Sequence, residues 1–281
     1  MKATAPASAA NLGPGFDAIA VALELYVTVE IKESPYFNVH SKNLGSNIEV
    51  NSDHIASRVL REIYGHDNFY VEIDSAIPLA RGLGSSAALA VAVAGAAGAA
   101  DPLKVAVTID GHPENAGASV LGGLVAATME NGKPVAKRID IDPRNTFLVV
   151  VPDFELSTSK ARSVLPGKLD LKDVAQNLGS LALMIAGLIN QDQFTRAASR
   201  DNIHQPFRNL LNPKAEKIID FILNEGGLGA CWSGAGPSIL ALTDEDNQSL
   251  KDKLTRYLAE ISYKAEVMSL KPDLGGLQIT S

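Results

Sequence analysis

PLARGLGSSAA, residues 78–88, follows a strand-like run at 70–73 and opens a helix of small residues that reads on through Leu89 and Ala90. The first backbone N–H groups of a helix have no partner within it, and glycine lets an anion reach them without a Cβ in the way. Gly82, Gly84, Ser85 and Ser86 can therefore wrap phosphate oxygens, with the two hydroxyls as further donors or as metal ligands. No lysine follows the last glycine, so this is not the GxxxxGK phosphate loop. Nor does the chain show GxGxxG within a regular βαβ frame, which sets aside a dinucleotide-binding fold. Taken alone, the loop leaves open a glycine turn that merely caps a helix.

Outward from the loop, Leu25, Val27, Val29 and Ile31 alternate with Glu24, Tyr26, Thr28 and Glu30, the period of a half-buried strand. Residues 36–41 are expected to pair with it. Asn51, Ser52 and Asp53 offer capping side chains before Ile55, Val59, Leu60 and Ile63, which share one helical face, and Gly65 ends that run. Residues 124–129 and 135–141 flank Asn131-Gly132, a hairpin signal. The first half thus reads as strands with two helices. The polar turn at 142–145 precedes a continuous apolar strand at 147–151, where a second domain is expected to begin. Helices are expected at 173–189, 192–201, 214–224 and 246–261, and strands at 238–242 and 265–270, an α+β order.

The 281 residues are 46% hydrophobic and 20% charged, which suits a globular chain and sets aside disorder and fibrous folds. A net charge of −7 gives no global positive field for a phosphate backbone, so no nucleic acid is expected as the main partner. The single cysteine, Cys231, cannot form an internal disulfide, and a cytoplasmic location is expected. The most apolar stretch, 87–100, is shorter than the ~20 residues of a membrane helix and carries Gly95 and Gly98, and no apolar signal core follows Lys2. Neither a membrane partner nor export is expected.

Two more loops share the character of the first: PASAANLGPGFD at 6–17 and GACWSGAGPSILAL at 229–242. Three such loops exceed what turn-making requires, and they are expected to converge on one site. Individually, their residues have plainer readings. Asp17 can cap a helix at Ala18, Asn115 can cap a turn, and Arg162 and Arg208 can be solvated surface arginines. Cys231 and Trp232 read as packed core.

In this order, PASAANLGPGFD, PLARGLGSSAA and SGAGPS resemble the three signature motifs of the GHMP kinases, the superfamily of galactokinase, homoserine kinase, mevalonate kinase and phosphomevalonate kinase. NLGPGFD, HPEN at 112–115, LGG at 121–123, TSKAR at 158–162 and the 201–208 segment ending QPFR are similar to the homoserine kinase branch, and the resemblance covers nearly the whole chain. It implies an α+β fold of two domains: residues 1–145, an N-terminal α/β domain that binds ATP through the glycine-loop helix, and residues 146–281, a C-terminal ferredoxin-like domain. The implied reaction is transfer of the ATP γ-phosphoryl group to the side-chain hydroxyl of L-homoserine, with Mg²⁺, and the relatives are often homodimers.

The same resemblance places Pro78, Leu79, Ala80, Arg81, Gly82, Leu83, Gly84, Ser85, Ser86, Ala87 and Ala88 around the triphosphate, and Ser86 and Asp110 at Mg²⁺. It places Asn11, Asp17, His112, Asn115, Thr158, Arg162, Arg208 and Gly234 in the substrate pocket, with Asn11, Asp17, Asn115 and Arg162 as catalytic candidates. An amino acid offers a carboxylate, an ammonium and a hydroxyl; arginines suit the first, Asp17 the second or third, and Asn11 the hydroxyl. Where mevalonate kinases and galactokinases carry an aspartate base, this chain has Asn115, which cannot accept a proton. Catalysis would then rest on positioning and electrostatics.

Two departures stand out. Only 24 positions separate Ala88 from His112, fewer than in the enzymes resembled, and Asp110 stands where they present a glutamate to Mg²⁺. Its side chain is one methylene shorter, a gap to be closed by backbone or water. Two alternatives remain at this level. One is a GHMP kinase of mevalonate or shikimate type, against which Asn115 and the lysine-free NLGPGFD loop stand. The other is a nucleotide or amino-acid sensor without turnover, for which the shortened interval is the support.

Overall fold

The computed structural model describes residues 1–45 and 49–280. Its first sheet is built on β1 (Lys2–Asn11) and β2 (Gly15–Glu33), which run antiparallel with register shifts at Pro6/Ala7 and Ala10/Asn11. Residues 5–11 of β1 are all buried, so small side chains suit a strand covered on both faces. Asp17 lies within β2 and caps no helix.

The strand expected at 36–41 is β3 (Asn38–Asn43), and its pairing is corrected. It lies parallel to β4 (Phe69–Ser75), which occupies the place beside β2. Phe69, Val71 and Ile73 give β4 the buried face an inner strand needs, whereas the polar NVHSKN suits an edge. Between them runs α1 (Ile55–Tyr64), the crossover a parallel pair requires. Its cap is His54 rather than the 51–53 segment: the His54 Nδ1 accepts from the Ala56 N–H at 3.1 Å, while Asn51 turns inward on Asp53.

Among the described residues of the first half, four helices stand rather than two: α1, α2 (Ser85–Ala96), α3 (Pro102–Asp110) and α4 (Pro113–Leu121). Buried on nearly all sides, α2 packs on β1 and β2 and is flanked by α1, α3 and α4. α3 and α4 are punctuated rather than periodic. Each opens on a proline in its first turn, and the Asp101 carboxylate caps α3 by accepting from the Lys104 N–H at 3.0 Å. The hairpin of β5 (Leu124–Glu130) and β6 (Lys133–Ile139) turns at Asn131 and Gly132, both with positive φ, and β5 pairs with β2.

The second sheet starts with β7 (Thr146–Pro152), buried at all seven positions. The chain then forms α5 (Thr158–Ser163), α6 (Leu171–Ile189), α7 (Gln205–Arg208), α8 (Ala215–Asn224), β8 (Gly229–Trp232), β9 (Ile239–Thr243), α9 (Gln248–Glu260) and β10 (Ala265–Leu270). The antiparallel order β10-β7-β9-β8, with helices crossing between β7 and β8 and between β9 and β10, is ferredoxin-like. The helix expected at 192–201 is corrected to two 3₁₀ turns, Gln191–Gln193 and Arg196–Ser199. The segment lacks an apolar stripe, and Phe194 breaks it by packing its ring against Gly187 of α6. The last strand, β11 (Gln278–Thr280), returns to the first sheet and pairs with β1.

Trp232 is fully buried with its Nε1 donating to Asn209 Oδ1 at 2.9 Å. Burial pushes the Cys231 thiol up to about 12, which leaves it a packing residue. Among the described residues no helix is long and apolar enough to cross a membrane.

Candidate active site

The three loops meet and are stitched by short contacts. The Gly234 N–H donates to the Ala10 carbonyl at 2.9 Å, and Asn11 Nδ2 donates to the Gly234 carbonyl at 2.8 Å. The Ser233 hydroxyl donates to the Gly82 carbonyl at 2.7 Å, and the Ser8 N–H to the Leu83 carbonyl at 3.1 Å. Between them opens a cleft of about 430 Å³. Of the residues expected at the site, Asn11, Asp17, Ala80, Gly82, Gly84, Ser85, Ser86, Ala87, Asp110, His112, Asn115, Thr158, Arg162, Arg208 and Gly234 line it.

Five of the glycine-loop residues, Pro78, Leu79, Arg81, Leu83 and Ala88, do not line it. Leu83 and Ala88 are buried in the core. Arg81 faces the second domain. Its Nε donates to the Pro152 carbonyl at 2.8 Å and its NH2 to the Asp153 carbonyl at 3.0 Å, so it clamps the loop to the end of β7. Gly84 begins α2 in the left-handed conformation, and no side chain caps the helix. The first-turn amides at 85–87 thus stand uncapped by side chains at the cleft wall, with no acidic residue in that turn.

Opposite stands a charged cluster. Arg162 donates to both oxygens of Asp17 at 2.8 and 2.9 Å, so the two catalytic candidates engage each other. The Asn11 Oδ1 accepts from the Asp17 N–H at 3.0 Å; with Nδ2 on Gly234, this amide chiefly ties the first loop to the third. Asn115 accepts from the Ser8 hydroxyl at 2.9 Å and donates to Glu114 Oε1 at 3.1 Å. The other Glu114 oxygen is buried and unpartnered among the described residues, and burial pushes this carboxyl above the usual range. The His112 Nδ1 lies 3.2 Å from Asp110 Oδ2, and that hydrogen bond holds His112 above its ordinary value against the effect of burial.

Arg208 is 1% exposed. Its NH1 donates to the Gly234 carbonyl at 2.8 Å and to His204 Nδ1 at 3.1 Å, and its Nε has no partner among the described residues. Burial, then the Arg162 charge, pull it down to about 10, which leaves it a cation at neutral pH. No carboxylate among the described residues forms an ion pair with it. The Phe16 ring carries both the Arg162 and the Arg208 guanidinium, each 5.5 Å from its centroid.

Sequence reasoning missed Phe16, Ser8, Glu114 and Arg58. Glu114 stands inside HPEN and Phe16 and Ser8 inside the first motif, so proximity to named residues was the available signal. Arg58 lies on α1, far from any motif, and reaches the cleft wall by donating to the Ile109 carbonyl at 2.9 Å. Among the described residues no three His, Cys, Asp or Glu side chains come together as a metal centre. Ser86 and Asp110 line the same cleft, a two-oxygen set that suits a Mg²⁺ held mainly by phosphates and water.

The family model for the GHMP kinases N terminal domain matches residues 52–123, and that for the GHMP kinases C terminal domain matches 181–260. Fold and cleft together thus define a GHMP kinase. A homoserine kinase of Clostridium botulinum (strain Alaska E43 / Type E3) is 35% identical, with 98% of this chain and 97% of that protein covered. One of Caldicellulosiruptor saccharolyticus is 34% identical, with 98% and 95% covered. The crystal structure of homoserine kinase from Cytophaga hutchinsonii superposes with a TM-score of 0.86 at 24% identity, over 100% of this chain and 97% of that one. The chain belongs to the homoserine kinase family.

Proposed function

We propose that the chain catalyses ATP-dependent phosphorylation of the side-chain hydroxyl of L-homoserine, giving O-phospho-L-homoserine for threonine biosynthesis. One observation carries the reading: Arg208, a buried cation with no anionic partner, shares a cleft with the uncapped first turn of α2. A place for a carboxylate thus stands beside a place for phosphates.

When bound, ATP with Mg²⁺ supplies the transferable phosphoryl group and the neutralisation of its charge. The amides and hydroxyls of Ser85 and Ser86 would hold phosphate oxygens, and Ser86 with Asp110 would hold the metal ion. Arg208 binds the substrate carboxylate. The Asp17–Arg162 pair, fixed by Asn11 and the Phe16 ring, orients the rest of the amino acid. Asn115, held by Ser8 on one side and Glu114 on the other, presents its amide toward the hydroxyl. It takes no proton, so the rate rests on alignment and electrostatic stabilisation. Residues 1–145 would form the ATP-binding domain and 146–281 the second domain, apart from the returning strand β11.

The test is ADP release from Mg-ATP with L-homoserine, L-threonine, mevalonate or shikimate. Release with homoserine alone is expected. Release only with another alcohol overturns the substrate, and ATP binding without turnover would support a sensor instead.

A further inference from the structure

We propose that His204, which does not line the cleft, is a positioning residue that sets Arg208 for the substrate carboxylate as a neutral imidazole with its proton on Nε2. The assignment rests on the homoserine reading of the cleft. Its geometry does not.

His204 is 0% exposed. Its Nε2 lies 2.8 Å from the Gly13 carbonyl oxygen, which can only accept, so Nε2 carries a hydrogen. Its Nδ1 lies 3.1 Å from Arg208 NH1, which can only donate, so Nδ1 is bare. Two partners without chemical freedom therefore fix one tautomer and exclude the charged ring, whose Nδ1–H would point at a guanidinium N–H.

The other groups around the ring agree with this. Asp201 Oδ2 is 3.5 Å from Nε2, but that carboxylate is occupied by backbone: Oδ2 accepts from the His204 N–H at 3.0 Å and the Gln205 N–H at 2.6 Å, and Oδ1 from the Ile203 N–H at 3.0 Å. It holds the start of α7 and so places His204 one turn before Arg208, the spacing at which two side chains of a helix meet. The Phe16 ring lies 5.4 Å from the imidazole and also carries the Arg208 guanidinium. Arg208 NH1 is thus locked by two fixed acceptors, the Gly234 carbonyl and His204 Nδ1. That lock sets the plane of the guanidinium and leaves its remaining edge to the ligand. The first and third signature loops both contribute, through Gly13 and Gly234, so closing of those loops and aiming of Arg208 are one event.

The experiment separates the two ring nitrogens. His204→Asn keeps an acceptor oxygen near the position of Nδ1, and His204→Gln places a donor nitrogen near that of Nε2. The proposal expects the Asn variant to hold its KM for homoserine within about threefold and the Gln variant to lose about tenfold or more, the scale of one charge-assisted hydrogen bond, with KM for ATP unchanged in both. Equal homoserine KM values, a better Gln variant, or an equal rise in KM for ATP would overturn it. If either variant fails to fold, nitrogen-15 NMR of histidine-labelled native protein decides: the Nε2–H tautomer at pH 7 is expected, and an Nδ1–H or charged ring refutes the assignment. The tautomer is read without substrate, so its failure is distinct from a native protein that does not turn over homoserine.

Discussion

Gly82 and Gly132 form a matched pair that separates backbone strain from loop contact. Both have φ near +75°, a conformation that costs a side-chain-bearing residue about 1–2 kcal/mol. At Gly132 a Cβ meets nothing within 4 Å, so Gly132→Ala should lose only that strain, about 2–4 °C in melting temperature for a chain of this size. At Gly82 a Cβ would stand 2.1 Å from the Ser233 carbonyl oxygen and 2.8 Å from the Gly236 nitrogen, both backbone. Neither can rotate away, so about 1–3 kcal/mol of overpacking adds to the strain. Gly82→Ala should therefore melt roughly 3–9 °C lower than the native chain. The clash also forces apart the glycine loop and the SGAGPS loop, so kcat/KM for ATP should fall about tenfold or more, while Gly132→Ala keeps its activity. Scanning calorimetry and initial rates on the two variants suffice. Equal losses in both would refute the claim that the two loops are packed backbone to backbone.

Three further outcomes follow from the cleft and from the residue behind Arg208. Asn115→Asp, which would supply the aspartate of related kinases, should lower kcat by about tenfold or more, because a carboxylate would then face Glu114 at hydrogen-bond distance; Glu114→Gln should restore part of it, and a faster Asp variant would contradict the account. Arg208→Lys keeps the charge but not the planar fork, so KM for homoserine should rise about 10- to 100-fold with KM for ATP unchanged; parallel rises in both would show that Arg208 serves the fold instead. Burial holds His204 below the ordinary imidazole pKa, so from about pH 6.5 downward the unfolded chain takes up a proton that the native chain refuses. Its contribution is complete above that pH and is lost as pH falls toward the depressed value. The urea midpoint should drop between pH 7.5 and 5.5, and part of that drop should vanish in His204→Asn; an identical drop would count against a neutral buried ring.

Wherever burial leaves a periodic trace, the fold was legible. Ile55, Val59, Leu60 and Ile63 marked α1, the alternation of Leu25 to Ile31 marked β2, and Asn131-Gly132 marked its hairpin. Alanine-rich elements leave none, because alanine is accepted on every face, and β1 was invisible for that reason; α4 is a short run of mostly small residues with Glu114 on its buried side, and α3 shows itself only through Asp101, Pro102 and Gly111. Pairing of β3 depends on which neighbour has the more apolar face, a comparison between segments that no single run contains. The site divides the same way. Motif positions brought most of the cleft together, but nothing local shows that Asp17 and Arg162 would pair across 145 positions, or that Arg208 would be buried without an anion. Nor does anything local show that Arg81 would donate to carbonyls of another domain, and Arg58 was missed because it sits on a helix with no motif.

The most direct test of the central claim is phosphorus NMR of the products formed from ATP, Mg²⁺ and L-homoserine by the native chain. The account predicts ADP together with one new phosphomonoester whose phosphorus couples to the methylene protons of the homoserine side chain. ADP and inorganic phosphate alone, or a phosphoester formed only when a different alcohol is supplied, would contradict it.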